Sequence, residues 1–271
     1  MLYRAAADRL KIGHITPSSN TVLEPLTGCI SAAVAAPLSH HFSRIAVQTI
    51  SLGEQSTSAF GVEPMLAAAQ LLADAAVDAI LWNGTSAAWL GFDADRELCA
   101  QITARTGIPA STSTLAQADA MRALGATRFG LAVPYLDDVT ARIVEVYREE
   151  GLEAVAFANA GVTTNSAMAY VSDDEVRDLV RAADHPDAQC ISVICTGLAA
   201  AHLVPELELE LGKPIVDSVA VVLWKALAMV GVDPVAPGWG RLLSGDIALA
   251  PAPSTSKSGL VPPPPIEGIT P

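Results

Sequence analysis

The chain has 271 residues, of which 51% are apolar and 17% are charged, and its formal net charge at pH 7 is −13. This composition is typical of a compact globular protein with a full hydrophobic core, and it argues against a disordered chain. The acidic balance argues against binding to nucleic acid or to an anionic membrane, since both require a basic surface.

The sequence predicts no secretory signal, membrane span or metal site. Residues 1–9 carry charges where a signal peptide requires an apolar run, and the most apolar long stretch, 219–232, is too short to cross a bilayer. The four cysteines show no CxxC spacing and no histidine at ligand distance. We therefore expect a reduced, cytoplasmic enzyme.

Strand-like and helix-like segments alternate along the chain, which indicates an α/β fold. The predicted strands are 11–16, 44–50, 78–82, 128–133, 153–157, 191–195 and 214–217. The predicted helices are 63–76, 115–124, 137–150, 173–184, 199–212 and 219–230. Short connections between such elements are typical of a parallel sheet with helices on both faces, in which ligands bind at the carboxyl ends of the strands.

The sequence also contains an internal repeat. Lys11–Pro17 resembles Arg128–Pro134, since each has a basic residue, an early glycine and a proline at the strand exit. Ile80–Ser86 resembles Ile191–Gly197, since each is a buried strand that runs into a small turn rich in hydroxyl groups. We therefore predict two pseudo-symmetric, doubly wound parallel-sheet halves with the active site between them.

The repeat also predicts how the chain divides. The first α/β half takes residues 1–116 and 215–245, because the last predicted helix would return to pack on it, and the second half takes residues 117–214. Residues 246–271 contain four consecutive prolines at 262–265 and few core-forming side chains. They are predicted to form a flexible tail.

Two of the predicted strand ends carry groups suited to an anionic substrate. In the turn Gly84–Ser86, hydroxyl and backbone N–H groups can converge on an oxygen anion. The matching turn, Cys195–Gly197, adds a thiol, and no thiol stands in the first turn. A helix N-terminus would stabilise the thiolate of Cys195 and an apolar wall would stabilise its thiol, so its protonation state is left open.

Several short motifs are shared with one protein family. Segments similar to arylmalonate decarboxylase are Gly84-Thr85-Ser86, Arg122–Gly125, Tyr135–Val139, Pro205–Glu208 and Pro237–Leu242. Pro17-Ser18-Ser19-Asn20 and Asn165 are instead similar to the maleate cis-trans isomerases. Over roughly residues 10–245 the chain thus resembles the aspartate/glutamate racemase superfamily, in the branch that holds both of these enzymes.

The resemblance implies cofactor-independent chemistry on a small carboxylate through an enediolate. Thr85, Ser86 and the phenol of Tyr135 would donate hydrogen bonds to the enediolate oxygens, and Cys195 would protonate one face of it. Both facing turns carry cysteine in the racemases and isomerases of the family, whereas the decarboxylase has glycine in the first, as at Gly84. We therefore expect a lyase that decarboxylates a substituted malonate.

Further residues are expected to contact the substrate. They are Pro17, Asn20, Gly84, Asn165, Met168, Thr196 and Gly197. Asn20 and Asn165 resemble the clamp with which maleate isomerases hold a carboxylate, and a clamped carboxylate is less inclined to leave as CO₂. Met168 would supply an apolar wall, while Trp82 and Trp89 either shape the pocket or fill the core.

Three alternatives remain open. The first is a maleate isomerase-like or racemase/tautomerase activity on a dicarboxylate. The second is hydrolysis of a small amide with Cys195 as the nucleophile. The third is an inactive protein that binds carboxylates. In each case the expected partner is a small-molecule carboxylate, and a homo-oligomer is compatible with the sequence. Gly84→Cys is expected to add racemising activity, because it would place a thiol on each face.

Overall fold

The computed structural model describes residues 9–47 and 61–247. Residues 48–50 of the predicted strand 44–50 and residues 248–271 of the predicted tail lie outside this part of the chain. Within it, the strands form two four-stranded sheets, and all of their pairings are parallel.

The first sheet has the spatial order β2-β1-β3-β4. Its strands are β1 (Leu10–Pro17), β2 (Leu38–Ile45), β3 (Ala79–Trp82) and β4 (Ala110–Thr112). The helices that follow these strands are α1 (Leu23–Ser31), α2 (Val62–Asp74), α3 (Ala87–Leu90), α4 (Phe92–Thr106) and α5 (Ser113–Ala123).

The second sheet has the spatial order β6-β5-β7-β8. Its strands are β5 (Arg128–Val133), β6 (Glu153–Asn159), β7 (Cys190–Val193) and β8 (Ile215–Asp217), and its helices are α6 (Asp137–Glu149), α7 (Asp173–Ala182), α8 (Val204–Leu211) and α9 (Ser218–Met229). Short 3-10 helices cover Asn165–Tyr170, Ala201–Leu203 and Arg241–Leu243. The order repeats that of the first sheet strand for strand, which confirms the predicted α/β fold of two similar halves.

Local sequence explains several of the helix boundaries. Helix α7 begins with a capping box, in which Ser172 and Glu175 each accept a hydrogen bond from the other's backbone N–H. Helix α9 is capped by Asp217, the residue before it, whose carboxylate accepts hydrogen bonds from the backbone amides of Val219 and Ala220. Helices α4 and α8 end at Gly107 and Gly212, which adopt the left-handed conformation that glycine favours.

Helix α5 leaves the first sheet and packs on the second. The side-chain amide of Gln117 donates hydrogen bonds to Ser192 Oγ at 2.9 Å and to the carbonyl oxygens of Val193 and Val216 at 3.0 and 3.1 Å. All of these groups are buried, so the three bonds satisfy polar atoms that water cannot reach. Residues of β7 and β8 are therefore held by a side chain of the helix that follows β4 of the first sheet.

Helix α9 makes the opposite crossing. It follows β8, yet its Val222 and Ala226 share a buried cluster with residues of β1 and β3, namely Ile12, Ala79 and Leu81. The two crossing helices also contact each other, and Lys225 Nζ lies 2.7 Å from a carboxylate oxygen of Asp119. The predicted division of the chain stays a prediction, although the pairing of β8 with β7 puts residues 215–217 in the second sheet.

Some elements differ from the prediction or were not predicted. Strand β2 covers residues 38–45 rather than 44–50, because this edge strand carries serine and histidine side chains and lacks a continuous apolar run. Strand β4 has 3 residues, and neither it nor α1 or α4 follows from the sequence pattern. The predicted helix 199–212 begins as a 3-10 helix and becomes α-helical at Val204.

Across residues 9–47 and 61–247, no helix combines the length and the apolar character needed to cross a membrane. The same residues contain no group of three or more histidine, cysteine or acidic side chains arranged to hold a metal ion. All four cysteines are free thiols in the structure.

Candidate active site

The carboxyl ends of strands from both sheets meet at one cavity between the halves. It encloses about 290 Å³, including its opening to solvent, and is lined by Pro17, Val47, Trp82, Gly84, Thr85, Ser86, Trp89, Tyr135, Asn165, Cys195 and Thr196. Most of the predicted site residues are therefore brought together here. This is the position at which parallel α/β sheets bind ligands.

The two matching turns face each other and are joined directly. Thr196 donates a hydrogen bond from its hydroxyl to the carbonyl oxygen of Asn83 at 2.8 Å, immediately before Gly84. Gly84 follows β3 and Cys195 follows β7, which occupy equivalent places in the two sheets. The glycine of one half and the thiol of the other thus lie across the same cavity.

Hydroxyl groups form one side of the cavity. Thr85 Oγ1 lies 2.8 Å from the Tyr135 hydroxyl, and the ring of Tyr135 packs edge-on against Trp89 with centroids 5.3 Å apart. Burial raises the pKa of Tyr135 well above its ordinary value, so the phenol remains a neutral donor. Together with the buried hydroxyl of Ser86, these groups can donate hydrogen bonds to an oxygen anion in the cavity.

The thiol of Cys195 lies beside this group of hydroxyls, within hydrogen-bond reach of Tyr135. It is 2% exposed, its Sγ accepts a hydrogen bond from the backbone N–H of Gly197 at 3.3 Å, and it lies 3.4 Å from Met168 Sδ. Its backbone N–H donates to Ser218 Oγ at 3.1 Å, which fixes the turn. Serine 218 was not among the predicted site residues.

Burial decides the protonation state that the sequence left open. It raises the pKa of Cys195 to about 11, and the Tyr135 hydroxyl and the backbone amides of Gly197 and Leu198 oppose this only in part. The group is therefore a protonated thiol at neutral pH. A buried thiol of this kind can donate a proton but is a poor nucleophile until it ionises.

Asn165 lines the cavity from the second half and contacts the first. It lies in the 3-10 helix Asn165–Tyr170, and its side-chain amide donates a hydrogen bond to Ser19 Oγ at 2.7 Å. Ser19 in turn donates to the carbonyl oxygen of Val47 at 2.6 Å. Met168, in the same 3-10 helix, is fully buried beside the thiol.

The side chain of Asn20 connects the two halves through hydrogen bonds. Its Nδ2 donates to the carbonyl oxygen and the hydroxyl of Thr196 at 3.0 and 3.2 Å. Its Oδ1 accepts hydrogen bonds from the backbone amides of Val22 and Leu23, both at 3.0 Å. Asn20 is 3% exposed and is not among the residues that line the cavity, and it joins the start of α1 to the second half. Its predicted contact with a substrate carboxylate stays a prediction.

Three lining residues were not among the predicted substrate contacts. Trp82 and Trp89 flank the first turn in the sequence. Their closeness to Gly84–Ser86 was the signal from which they could have been predicted as substrate contacts. Val47 follows the end of β2 in an irregular segment, and no motif marks it.

The chain matches known proteins over most of its described length. The family model described as arylmalonate decarboxylase matches residues 23–243. The arylmalonate decarboxylase of Bordetella bronchiseptica is 39% identical over 140 residues, which cover 51% of this chain and 58% of that protein. This match therefore spans little more than half of that relative's length.

Two other comparisons extend over almost the whole length of the known protein. The maleate isomerase of Pseudomonas putida is 27% identical over 246 residues, which cover 87% of this chain and 97% of that protein. A crystal structure of arylmalonate decarboxylase in the liganded form, with one glycine replaced by cysteine and one cysteine by serine, matches with a TM-score of 0.76 and 28% identity. That match covers 87% of this chain and 99% of the other.

Proposed function

The chain belongs to the arylmalonate decarboxylase family, and on this basis we propose that it decarboxylates a substituted malonate without a cofactor. Its relatives include both a decarboxylase and maleate isomerases, so the family alone does not choose between the two reactions. The choice rests on the geometry of the cavity.

A single observation carries the proposal: one buried thiol lies beside a group of buried hydroxyls, and a glycine occupies the matching place in the other half. Cys195 supplies a proton, Thr85 and Tyr135 supply hydrogen-bond donors, and Gly84 supplies no side chain. Racemisation by two bases requires a proton carrier on each face, and this cavity has one on a single face. A decarboxylation followed by a single protonation requires a proton carrier on one face only.

The reaction begins with the substrate's retained carboxylate bound by the hydroxyls of Thr85, Ser86 and Tyr135. The bond between the α-carbon and the second carboxylate breaks, CO₂ departs, and the electron pair passes into the retained carboxylate to form an enediolate. Its extra negative charge lies on oxygen atoms, where preorganised donors stabilise the transition state more than the ground state. Losing one such donor typically costs about 10²–10³ in rate.

Protonation completes the reaction. Cys195 transfers its thiol proton to the α-carbon from one face, which yields a monocarboxylate and a buried thiolate. The raised pKa means that the thiolate is a strong base in this site and regains a proton from water. A substrate with two different α-substituents would therefore give one enantiomer.

The lining of the cavity also favours loss of the second carboxylate. Pro17 and Val47 line the cavity and are apolar, and an apolar surface stabilises neutral CO₂ relative to a carboxylate. Asn165 is the polar exception near this surface. Its amide already donates one hydrogen bond to Ser19 and has a second hydrogen available for a substrate oxygen.

Incubation of the purified protein with methyl-, ethyl- and phenylmalonate tests the proposal. Release of CO₂ with a rise in pH, and a single enantiomer from an α-methyl-α-phenyl substrate, are the expected results. Conversion of maleate to fumarate without CO₂ release would replace the proposal with the isomerase. Ammonia release from a small amide would indicate the hydrolase, and carboxylate binding without any turnover would indicate an inactive binding protein.

A further inference from the structure

Position 84 requires glycine because the Trp82 ring fills the space that a Cβ atom would occupy. Its backbone conformation does not require glycine. Its φ lies outside the left-handed region that demands glycine. A Cβ placed on Gly84 would lie 2.9 Å from Cη2 of Trp82 and nearer still to Cζ2 and Cε2 of the same ring. Real Cβ atoms do not approach other atoms this closely, so the indole occupies the space into which a side chain at position 84 would extend.

Trp82 is held firmly in that position. It is the last residue of β3, where its backbone is paired with Ile15 on one side and with Thr112 on the other. Its side chain is 0% exposed and packs in a cluster that includes Ile45, Val47 and Met65. A ring packed at this density on a central strand cannot rotate away without displacing its neighbours.

The thiol side of the cavity differs. A Cβ placed on Gly197 would lie 3.5 Å from Cys195 Sγ and 3.6 Å from the Cβ of Met168, which are ordinary van der Waals distances. A methyl group therefore fits at position 197, two residues after the thiol, but not at position 84. The crowding at Gly84 thus comes from the Trp82 ring and is not shared by the glycine of the matching turn.

We propose that Trp82 is the specificity-determining residue of this site. Its indole lines the cavity beside Gly84, keeps position 84 a glycine, and limits the α-substituent of the carboxylate substrate that can lie there. The limit on the substrate rests on the proposed function, whereas the steric coupling between positions 82 and 84 does not. Because the indole fills the space beside position 84, Gly84→Cys alone cannot place a second thiol in the cavity. The substitution Trp82→Leu must accompany it.

Stability measurements test the steric coupling without reference to activity. Gly84→Ala is expected to lower Tm by about 5 °C or more, because the methyl group overpacks the site. In a Trp82→Leu background the same change is expected to alter Tm by less than about 2 °C. Trp89→Leu is the matched control, since it also truncates a lining tryptophan but leaves the Trp82 ring in place, and it should give no rescue.

Ligand binding tests the limit on the substrate. Methyl-, ethyl-, butyl- and phenylmalonate are titrated into the wild type, Trp82→Leu and Trp89→Leu, and Kd is measured from the thermal shift. We expect Trp82→Leu to lower Kd for the bulkier malonates at least about tenfold relative to methylmalonate, and Trp89→Leu to leave this order unchanged.

The two readouts separate the inference from the proposed function. If malonates bind but release no CO₂, decarboxylation is excluded, and the size limit set by Trp82 is still measured through Kd. An equal loss of Tm from Gly84→Ala in both backgrounds would overturn the steric coupling. The same size preference in the wild type and in Trp82→Leu would overturn the role in specificity.

Discussion

The hydroxyl groups of Thr85 and Tyr135 lie 2.8 Å apart, although 50 positions separate the two residues and they follow strands of different sheets. Neither half therefore contains the complete set of oxygen-binding groups. The contact exists only when the two sheets are packed together, and any loss of that packing removes it.

Removing either hydroxyl should slow the proposed reaction. Tyr135→Phe and Thr85→Val keep most of the packing and remove one donor each, and each is expected to lower kcat by about 10²–10³. Because the two groups act together on the same oxygen anion, the double variant should lose less than the product of the single losses. Steady-state kinetics with phenylmalonate measure this, and strictly multiplicative effects would show that the groups act independently.

Loss of the thiol should remove the proton transfer. Cys195→Ala is expected to lower kcat by about 10³ or more while phenylmalonate still binds, because the hydroxyl groups remain. Cys190→Ala is the control, since Cys190 is also buried but starts β7 away from the cavity. Turnover by Cys195→Ala at the wild-type rate would rule out the thiol as the proton donor.

Inhibition by alkaline pH should begin only well above the pH at which an exposed cysteine ionises. The pKa of Cys195 is raised from its ordinary value of 9.0 to about 11, so the thiol keeps its proton through the range in which an exposed cysteine ionises. We expect a constant kcat from about pH 7 to about pH 9 and a decline only as the pH approaches 11. Alkylation of Cys195 by iodoacetamide should be slow at about pH 8, where the exposed Cys29 reacts and serves as the internal reference.

The same shift predicts how this thiol affects stability. Below about pH 9 the thiol is protonated in both the folded and the unfolded state, so it contributes no pH dependence. Between 9.0 and about 11 the unfolded state loses the proton first, and the free energy of unfolding should fall as the pH rises. Urea unfolding of the wild type and of Cys195→Ala isolates this contribution, which should be missing in the variant.

Asn165→Val should raise kcat for decarboxylation by about tenfold, or about 1.4 kcal/mol. An amide that holds the departing carboxylate stabilises the ground state more than the transition state, in which this group becomes neutral CO₂. Ser19→Ala is the matched control, because it removes the partner of Asn165 and leaves the amide in the cavity. A lower kcat in Asn165→Val would show that the amide assists the reaction.

Asn20→Ala should act through stability. The change leaves the buried backbone amides of Val22 and Leu23 without their acceptor and removes the link to Thr196, at a cost of about 1–3 kcal/mol in the free energy of unfolding. KM for a malonate should change little at temperatures where the variant is folded. A large rise in KM with unchanged Tm would instead support the predicted role of Asn20 in substrate binding.

Much of the fold could be predicted because the central strands are short apolar runs that end in glycine, proline or hydroxyl residues. The repeat between Lys11–Pro17 and Arg128–Pro134 identified β1 and β5, which occupy matching places in the two sheets. Edge strand β2 gave no such signal, because its serine and histidine side chains are only partly buried. The N-cap residue of helix α1 is Val22, whose side chain cannot accept a hydrogen bond from the helix. The N-cap position therefore carries no capping signal by which the start of α1 could be recognised.

The site residues that directly follow a strand could be predicted from the sequence. Roles that depend on contacts between distant parts of the chain could not. Thr85, Ser86 and Cys195 follow β3 and β7, and the structure brings them to one cavity. The role of Asn20 depends on a hydrogen bond to a residue 176 positions away, which no local pattern reveals. The protonation of the thiol depends on burial, which requires the packed structure.

The crossing of α5 and α9 makes the two repeats inseparable. A fragment that ended at Thr112 would lose the helix whose Val222 and Ala226 cover the inner strands of its sheet. The remaining fragment would keep Val222 and Ala226 but lose Ile12, Ala79 and Leu81, the buried residues against which they pack. The molecule should therefore melt in one cooperative transition rather than one half at a time.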